Sequence, residues 1–212
     1  MKVKVKAFDT QEHLDNVDLW NELNKEKNLQ FNYPHLHNRS VVFDCGGYVG
    51  GWAEKILQTY DCYVHSFEPL PEFFQQAKER LKSYSNFELH EFALGNSNRV
   101  DLISYFKDGS TFFIESDQEI KVPVRDVIEV MDELPYTHID LMKLNVEGSE
   151  YEILERLIQE DRFESIATYQ IQFHREIDNH KEKRLSIQET LKEAGYKCDY
   201  NVEWVWESWS KV

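Results

Sequence analysis

An α/β fold, with a mostly parallel central sheet and helices on both faces, is predicted for this 212-residue chain. Three observations carry the prediction. From residue 41 onward, short apolar runs alternate with segments of helical period; strands apolar on both sides belong to sheets covered on both faces. The first run leads into VVFDCGGYVGGW, which holds four of the eight glycines within six residues. No repeat, low-complexity tract or Pro/Gly-rich linker interrupts the pattern. One domain is therefore expected over residues 1–212, with 1–40 an N-terminal extension and 41–212 the core.

The elements follow in order. MKVKVKAFDTQEH alternates Lys and Val as an edge strand does, and no apolar signal core follows it, so secretion is not expected. Leu14, Val17, Trp20 and Leu23 recur every third residue, close to helical period. SVVFDC is the first core strand, and GGWAEKILQTY a helix with Ala53, Ile56 and Leu57 on one face. CYVHSFE is the second strand, and LPEFFQQAKERLKSY a helix with Pro71 near its start. FELHEFAL reads as one third strand. Residues 99–124 read as added β-structure, RVDLISYF and EIKVPV joined through a turn at KDGSTF. RDVIEVMDEL is helical, HIDLMKLNV is the fourth strand, and GSEYEILERLIQE is a helix. SIATYQIQFH is the fifth strand, KEKRLSIQETLKEAG a helix stopped at Gly195, and YKCDYNVEWVWESW one or two closing β segments.

Composition excludes several functions. With 24 Lys and Arg against 39 Asp and Glu, the net charge is −15. That balance argues against a basic surface for nucleic acid and against docking on anionic lipid. No segment approaches the ~18 apolar residues of a membrane span. The three cysteines form no CxxC pair and point to reduced thiols in a cytoplasmic setting. His35 and His37 lack a third ligand at a recognisable spacing, so no metal is expected.

In parallel sheets ligands bind beyond the carboxyl ends of the strands. After the first strand the chain reads D-x-G-x-x-x-G, from Asp44 to Gly50, and matches neither G-x-G-x-x-G nor a Walker loop. Gly46 and Gly47 permit a tight turn and close approach of backbone to a ligand. Glu68 closes the second strand 24 residues after Asp44, where a carboxylate can accept both hydrogen bonds of a ribose diol. The pair favours a nucleoside without a diphosphate, and the missing dinucleotide fingerprint disfavours a nicotinamide oxidoreductase.

VVFDCGGYVGGWAEKI, VHSFEPLPEFFQQAKERL and IDLMKLNVEGSEYEIL resemble, in order and spacing, the FkbM family of S-adenosylmethionine-dependent methyltransferases. K-[IL]-[DN]-[IV]-E-G-x-E, here Lys143 to Glu150, is the most specific part, and the likeness runs from Val41 to His174. The resemblance implies a Rossmann-like class I methyltransferase fold and S-adenosylmethionine as cofactor. It implies O-methylation of a sugar, glycoconjugate or secondary metabolite, in polysaccharide or natural-product biosynthesis. By the same resemblance Asp44, Gly46 and Gly50 frame the methionine portion of the cofactor, Glu68 holds the ribose, and Phe92 and Ala93 flank the adenine. Gly47 and Tyr48 belong to the same cofactor turn. Commoner members carry Asn where this chain has Tyr48, and often Asp where it has Asn145.

Methyl transfer to a hydroxyl needs an aligned acceptor and a group to take its proton. Lys143 and Asn145 share one face of the fourth strand and reach the ligand edge, with Glu147 and Glu150 just beyond. His174, ending the fifth strand, is the expected proton acceptor, with Glu147 the alternative. The aromatic segments STFF and WVWESW serve core packing or cover the ligand. The rival function is a non-catalytic nucleoside-fold module that binds a partner in a biosynthetic complex.

Overall fold

The computed structural model describes residues 10–104 and 119–212. The N-terminal edge strand, the KDGSTF turn and STFF fall outside the described residues. The elements run α1 (Gln11–Lys27), β1 (Val41–Cys45), α2 (Gly51–Tyr60), β2 (Tyr63–Phe67), α3 (Pro71–Leu81), β3 (Phe87–His90), β4 (Ala93–Gly95) and β5 (Arg99–Ser104). They continue with β6 (Glu119–Asp126), α4 (Val127–Glu133), β7 (Leu141–Leu144), α5 (Glu150–Gln159), β8 (Thr168–Ile171), α6 (His180–Glu193), β9 (Tyr196–Val202) and β10 (Trp206–Lys211).

The main sheet has seven strands in the order β3-β2-β1-β7-β8-β10-β9. The five from β3 to β8 are parallel, while β10 runs antiparallel to β8 and to β9. The expected α/β architecture is therefore present, and YKCDYNVEWVWESW resolves into an antiparallel hairpin. The chain leaves β1 toward β2 on one side and returns to β7 on the other. That reversal opens a crevice at the carboxyl ends of β1 and β7.

Strand periodicity divides the core in two. Val41, Phe43 and Cys45 of β1 pack with residues of α4, α5 and α6 on one face. Val42 packs with Ala53, Ile56 and Leu57 of α2 on the other. Because both faces are covered, all five residues of β1 are buried. Trp20 of α1 stacks against Tyr200 and Trp206, ring centroids 5.5 and 6.4 Å away, and ties the N-terminal helix to the β9–β10 hairpin. Among the described residues no helix is long and apolar enough to cross a membrane.

Two expected strands differ. FELHEFAL is not one strand: β3 pairs with β2, whereas β4 pairs with β6 in a second sheet of order β4-β6-β5. The break falls at Glu91-Phe92, where the Phe92 ring seats against Phe67 and His90 and Ala93 takes up register with Val124. The fifth strand ends at Ile171, short of His174. There the Tyr151 hydroxyl donates to the His174 carbonyl at 2.7 Å and holds the chain toward α5.

The glycine-rich turn is dictated by contacts within the protein. A Cβ on Gly46, whose φ is +84°, would lie 1.9 Å from the Asn145 carbonyl oxygen; one on Gly47 would lie 2.1 Å from Ser66 Oγ. Gly50 brings α2 against Ala77 and Leu81 of α3, so its close packing is between helices rather than onto the strand. On the side where a Cβ would stand, the space beside these glycines is filled by the protein. Gly46→Ala is expected to cost about 3–5 kcal/mol through clash and backbone strain. Gly51→Ala, with only Arg80 Nη1 near at 3.7 Å, is expected to be neutral or to stabilise by up to about 1 kcal/mol. Urea denaturation of the two variants beside the parent checks both.

Candidate functional site

Strand register lays a polar row under the crevice. Ser66 of β2, Asp44 of β1 and Lys143 of β7 are neighbours across the sheet, and all three are buried. Lys143 Nζ donates to Asp44 Oδ1 at 2.8 Å and to the Gly46 carbonyl at 2.8 Å. Ser66 Oγ donates to Asp44 Oδ2 at 3.1 Å. The Asp44 carboxylate thus faces Lys143 beneath the turn, and Asp44 does not line the cleft. The amides of Gly46 and Gly47 both donate to the Phe67 carbonyl, each at 3.0 Å.

Above this row lies a cleft of about 400 Å³. One wall is the turn Gly46-Gly47-Tyr48-Val49 with Trp52; another is Phe67, Glu68, Leu70 and Phe73. Ala93, Leu94, Lys143, Asn145, Val146 and Glu147 line it further, with Gln30, Gly51, Pro69, Ile103 and Trp206. Of the expected cofactor residues, Gly46, Gly47, Tyr48, Glu68 and Ala93 meet here; Gly50 does not. Phe92 also lies off the cleft, with the Arg125 guanidinium 5.2 Å over its ring.

Glu68 is the buried acid of the cleft. Its Oε2 accepts the Tyr48 N–H at 2.8 Å and its Oε1 the Leu70 N–H at 2.9 Å. Burial pushes its pKa up to about 7, against the pull of those two amides and of Lys143. Each oxygen keeps lone-pair capacity for a ligand donor. Two further lining residues carry buried polar atoms with no protein partner among the described residues, Asn145 Oδ1 and Trp52 Nε1.

Glu147 borders the cleft in a left-handed conformation, φ +55°, followed by Gly148 at +112°. Tyr48, at φ +48°, is the other lining residue of this kind. A non-glycine residue held there costs on the order of 1–3 kcal/mol and persists only where its surroundings fix it. Glu150 does much of the fixing: its carboxylate accepts the Gly148 N–H at 2.9 Å and the His174 N–H at 2.7 Å.

His174 stands behind Glu147 rather than in the cleft. Its Nδ1 lies 3.3 Å from both Glu150 oxygens and its Nε2 3.7 Å from Glu147 Oε1. Burial disfavours the charged ring, but Glu150 and Glu147 together raise its pKa to about 10. The raised pKa favours the charged ring, which has no free lone pair to take a proton.

The sequence reading missed Trp52, Phe73, Leu94 and Gln30 as lining residues. Trp52 had a signal, sitting directly after the glycine turn; Gln30 comes from the segment after α1 and had none. His35 and His37 do not converge on a common point: His35 Nε2 lies 3.3 Å from Thr168 Oγ1, and His37 Nδ1 accepts the Arg39 N–H.

Residues 44–198 match the model of the family described as Methyltransferase FkbM domain. No curated protein matches the chain. Among solved structures, a candidate rRNA methylase from Clostridium thermocellum aligns with TM-score 0.55 at 10% identity, covering 93% of this chain and 96% of its own. A candidate methyltransferase from Streptococcus mutans in complex with SAH aligns with TM-score 0.54 at 10% identity, covering 93% and 98%. An rRNA methylase from Streptococcus thermophilus gives 0.50 at 13% identity, covering 97% and 98%. At these identities the likeness is one of fold.

The raised pKa of His174 links the site to stability. A group whose folded-state pKa exceeds its unfolded value of about 6.5 stabilises fully below that value, and its contribution fades as pH climbs through about 10. His174→Gln is therefore expected to lower the urea midpoint at pH 7, with the gap to the parent narrowing between pH 7 and 10.5. A gap constant over that window would refute the buried imidazolium.

Proposed function

We propose that this chain, which belongs to the FkbM methyltransferase domain family, is an O-methyltransferase acting on a hydroxyl of a sugar, glycoconjugate or secondary metabolite. S-adenosylmethionine is its cofactor and, when bound, supplies a methyl group already activated on a sulfonium. The cleft fits that group in volume, within the usual ~300–1,000 Å³ of small-molecule sites, and in chemistry. Glu68 offers acceptors for ribose hydroxyls, Trp52 Nε1 and Asn145 Oδ1 offer an unmet donor and acceptor, and Phe67, Leu70 and Phe73 offer apolar surface. Asp44 acts one step back, fixing Lys143 and through it the turn.

The observation that carries the reading is the placing of Glu147. It borders the same cleft as Glu68, with its backbone held in a strained conformation and its carboxylate near the His174 imidazolium. Glu147 takes the proton of the acceptor hydroxyl. His174 is a positioning residue that orients that carboxylate, and Glu150 in turn orients His174. Tyr48, Trp52 and Trp206 present aromatic surface around the cleft and exclude water from it.

The chain's charge bears on the acceptor. Some fold neighbours carry rRNA methylase names, but a net charge of −15 and two cleft carboxylates favour a compact neutral acceptor over a polyanion.

Two variants separate binding from chemistry. Glu68→Ala is expected to weaken S-adenosylmethionine binding by ~1–3 kcal/mol in calorimetric titration, because cleft donors lose their acceptor. Glu147→Gln is expected to lower turnover by ~10²–10⁴-fold, with donor affinity little changed. Turnover is followed by labelled-methyl transfer across a panel of sugars and hydroxylated metabolites. An equal fall in affinity and turnover in Glu147→Gln would mark a structural glutamate. Tight donor binding with no transfer to any hydroxyl would favour a non-catalytic module.

A further inference from the structure

Away from the cleft, β2 and β3 bring three metal-ligating side chains to one point. His65 and Glu88 face each other in register across the two parallel strands, and His90 follows two residues later on the same side. His65 Nδ1 lies 3.2 Å from His90 Nε2 and 3.5 Å from Glu88 Oε2; His90 Nε2 lies 3.9 Å from Glu88 Oε1. One donor atom from each residue falls within 4.8 Å of the other two.

We propose that His65, Glu88 and His90 form a binding site for a divalent first-row transition-metal ion, zinc above all, at this edge of the sheet. Zinc bonds of about 2.0–2.2 Å in a tetrahedron set neighbouring donor atoms about 3.3–3.6 Å apart. The two shorter spacings fall in or within about 0.1 Å of that range, and a rotation of the Glu88 carboxylate closes the third. Two imidazoles and one carboxylate make a nitrogen and oxygen set suited to zinc, with a fourth position left for water.

The surroundings support a site rather than a chance meeting. His65 is buried against the rings of Phe43 and Tyr136, and His90 stacks on Phe67 at 4.7 Å. Glu88, whose side chain is 61% exposed, gives an ion its way in. The nearby Arg125 guanidinium opposes a cation, and its charge is met by Glu133. Since Phe67 also lines the cleft, an ion here braces the two strands behind one cleft wall and takes no part in methyl transfer.

The test uses the full chain stripped of metal with a chelator. Zinc is titrated by calorimetry, and cobalt(II) is added as a visible-absorption probe of coordination. One equivalent is expected to bind saturably, with the intense cobalt bands of a four-coordinate site. Zinc at about a hundredfold excess over its Kd is expected to raise Tm by roughly 5–10 °C. Glu88→Gln, on an exposed side chain, and His90→Ala are each expected to weaken binding at least about tenfold; circular dichroism establishes that both are folded. Affinity unchanged in these folded variants would place the ion elsewhere and overturn the proposal. So would the lack of saturable binding below about 1 mM, leaving a plain His65–His90 hydrogen bond.

Discussion

The buried ion pair between Asp44 and Lys143 is the interaction from which the rest of the cleft is built. Both side chains are withdrawn from water, and breaking such a pair by removing one partner typically costs about 3–5 kcal/mol. The pair is more than an isolated contact. Lys143 spends a second hydrogen bond on the Gly46 carbonyl, which draws the turn down onto β7. That descent leaves no room for a side chain at residue 46. It also sets where the Tyr48 amide points, and Glu68 accepts that amide. A strand residue, a turn and the cleft's buried acid are thus linked through one ammonium group. The row extends across the sheet, because register places Gln170 beside Lys143 and Ser208 beside Gln170.

A second charged cluster holds the opposite wall. The Glu150 carboxylate takes two backbone amides and lies against the His174 ring, while Glu147 lies on the ring's other side. Two carboxylates flanking one imidazole raise its pKa despite its burial. The strained backbone at Glu147 is held by this arrangement, since Gly148 is anchored through its amide to the same carboxylate. K-x-N-x-E-G-x-E therefore encodes two devices. Its lysine governs the turn after β1, and its last glutamate governs the turn after β7.

The fold was legible because periodicity reports burial, and burial decides which strands lie inside. The split of FELHEFAL was not legible, since no Gly or Pro marks the point where the chain changes sheets; the ring of Phe92 decides it. Asp44, Lys143, Glu68 and Glu147 stood out from their places at or just beyond the carboxyl ends of the strands, yet their partners did not. Asp44 and Lys143 are 99 positions apart, and only strand register makes them neighbours. The same limit hid His65, Glu88 and His90, whose spacing follows no local ligand motif and converges only through the pairing of β2 with β3. His174 illustrates a further limit. A histidine beside a strand end reads as a base until two buried or half-buried carboxylates are found around it.

Charge completes the picture of what the cleft suits. Its lining presents the carboxylates of Glu68 and Glu147, while the one ammonium in that lining among the described residues, Lys143, is engaged by Asp44. The balance facing a ligand is negative, so a cation gains and an anion loses. Glu68 sharpens the preference, because burial pushes the pKa of its carboxyl up to about 7. A positively charged ligand favours the ionised form and so draws a proton off Glu68 as it binds, whereas a neutral ligand of the same shape leaves that equilibrium nearly untouched.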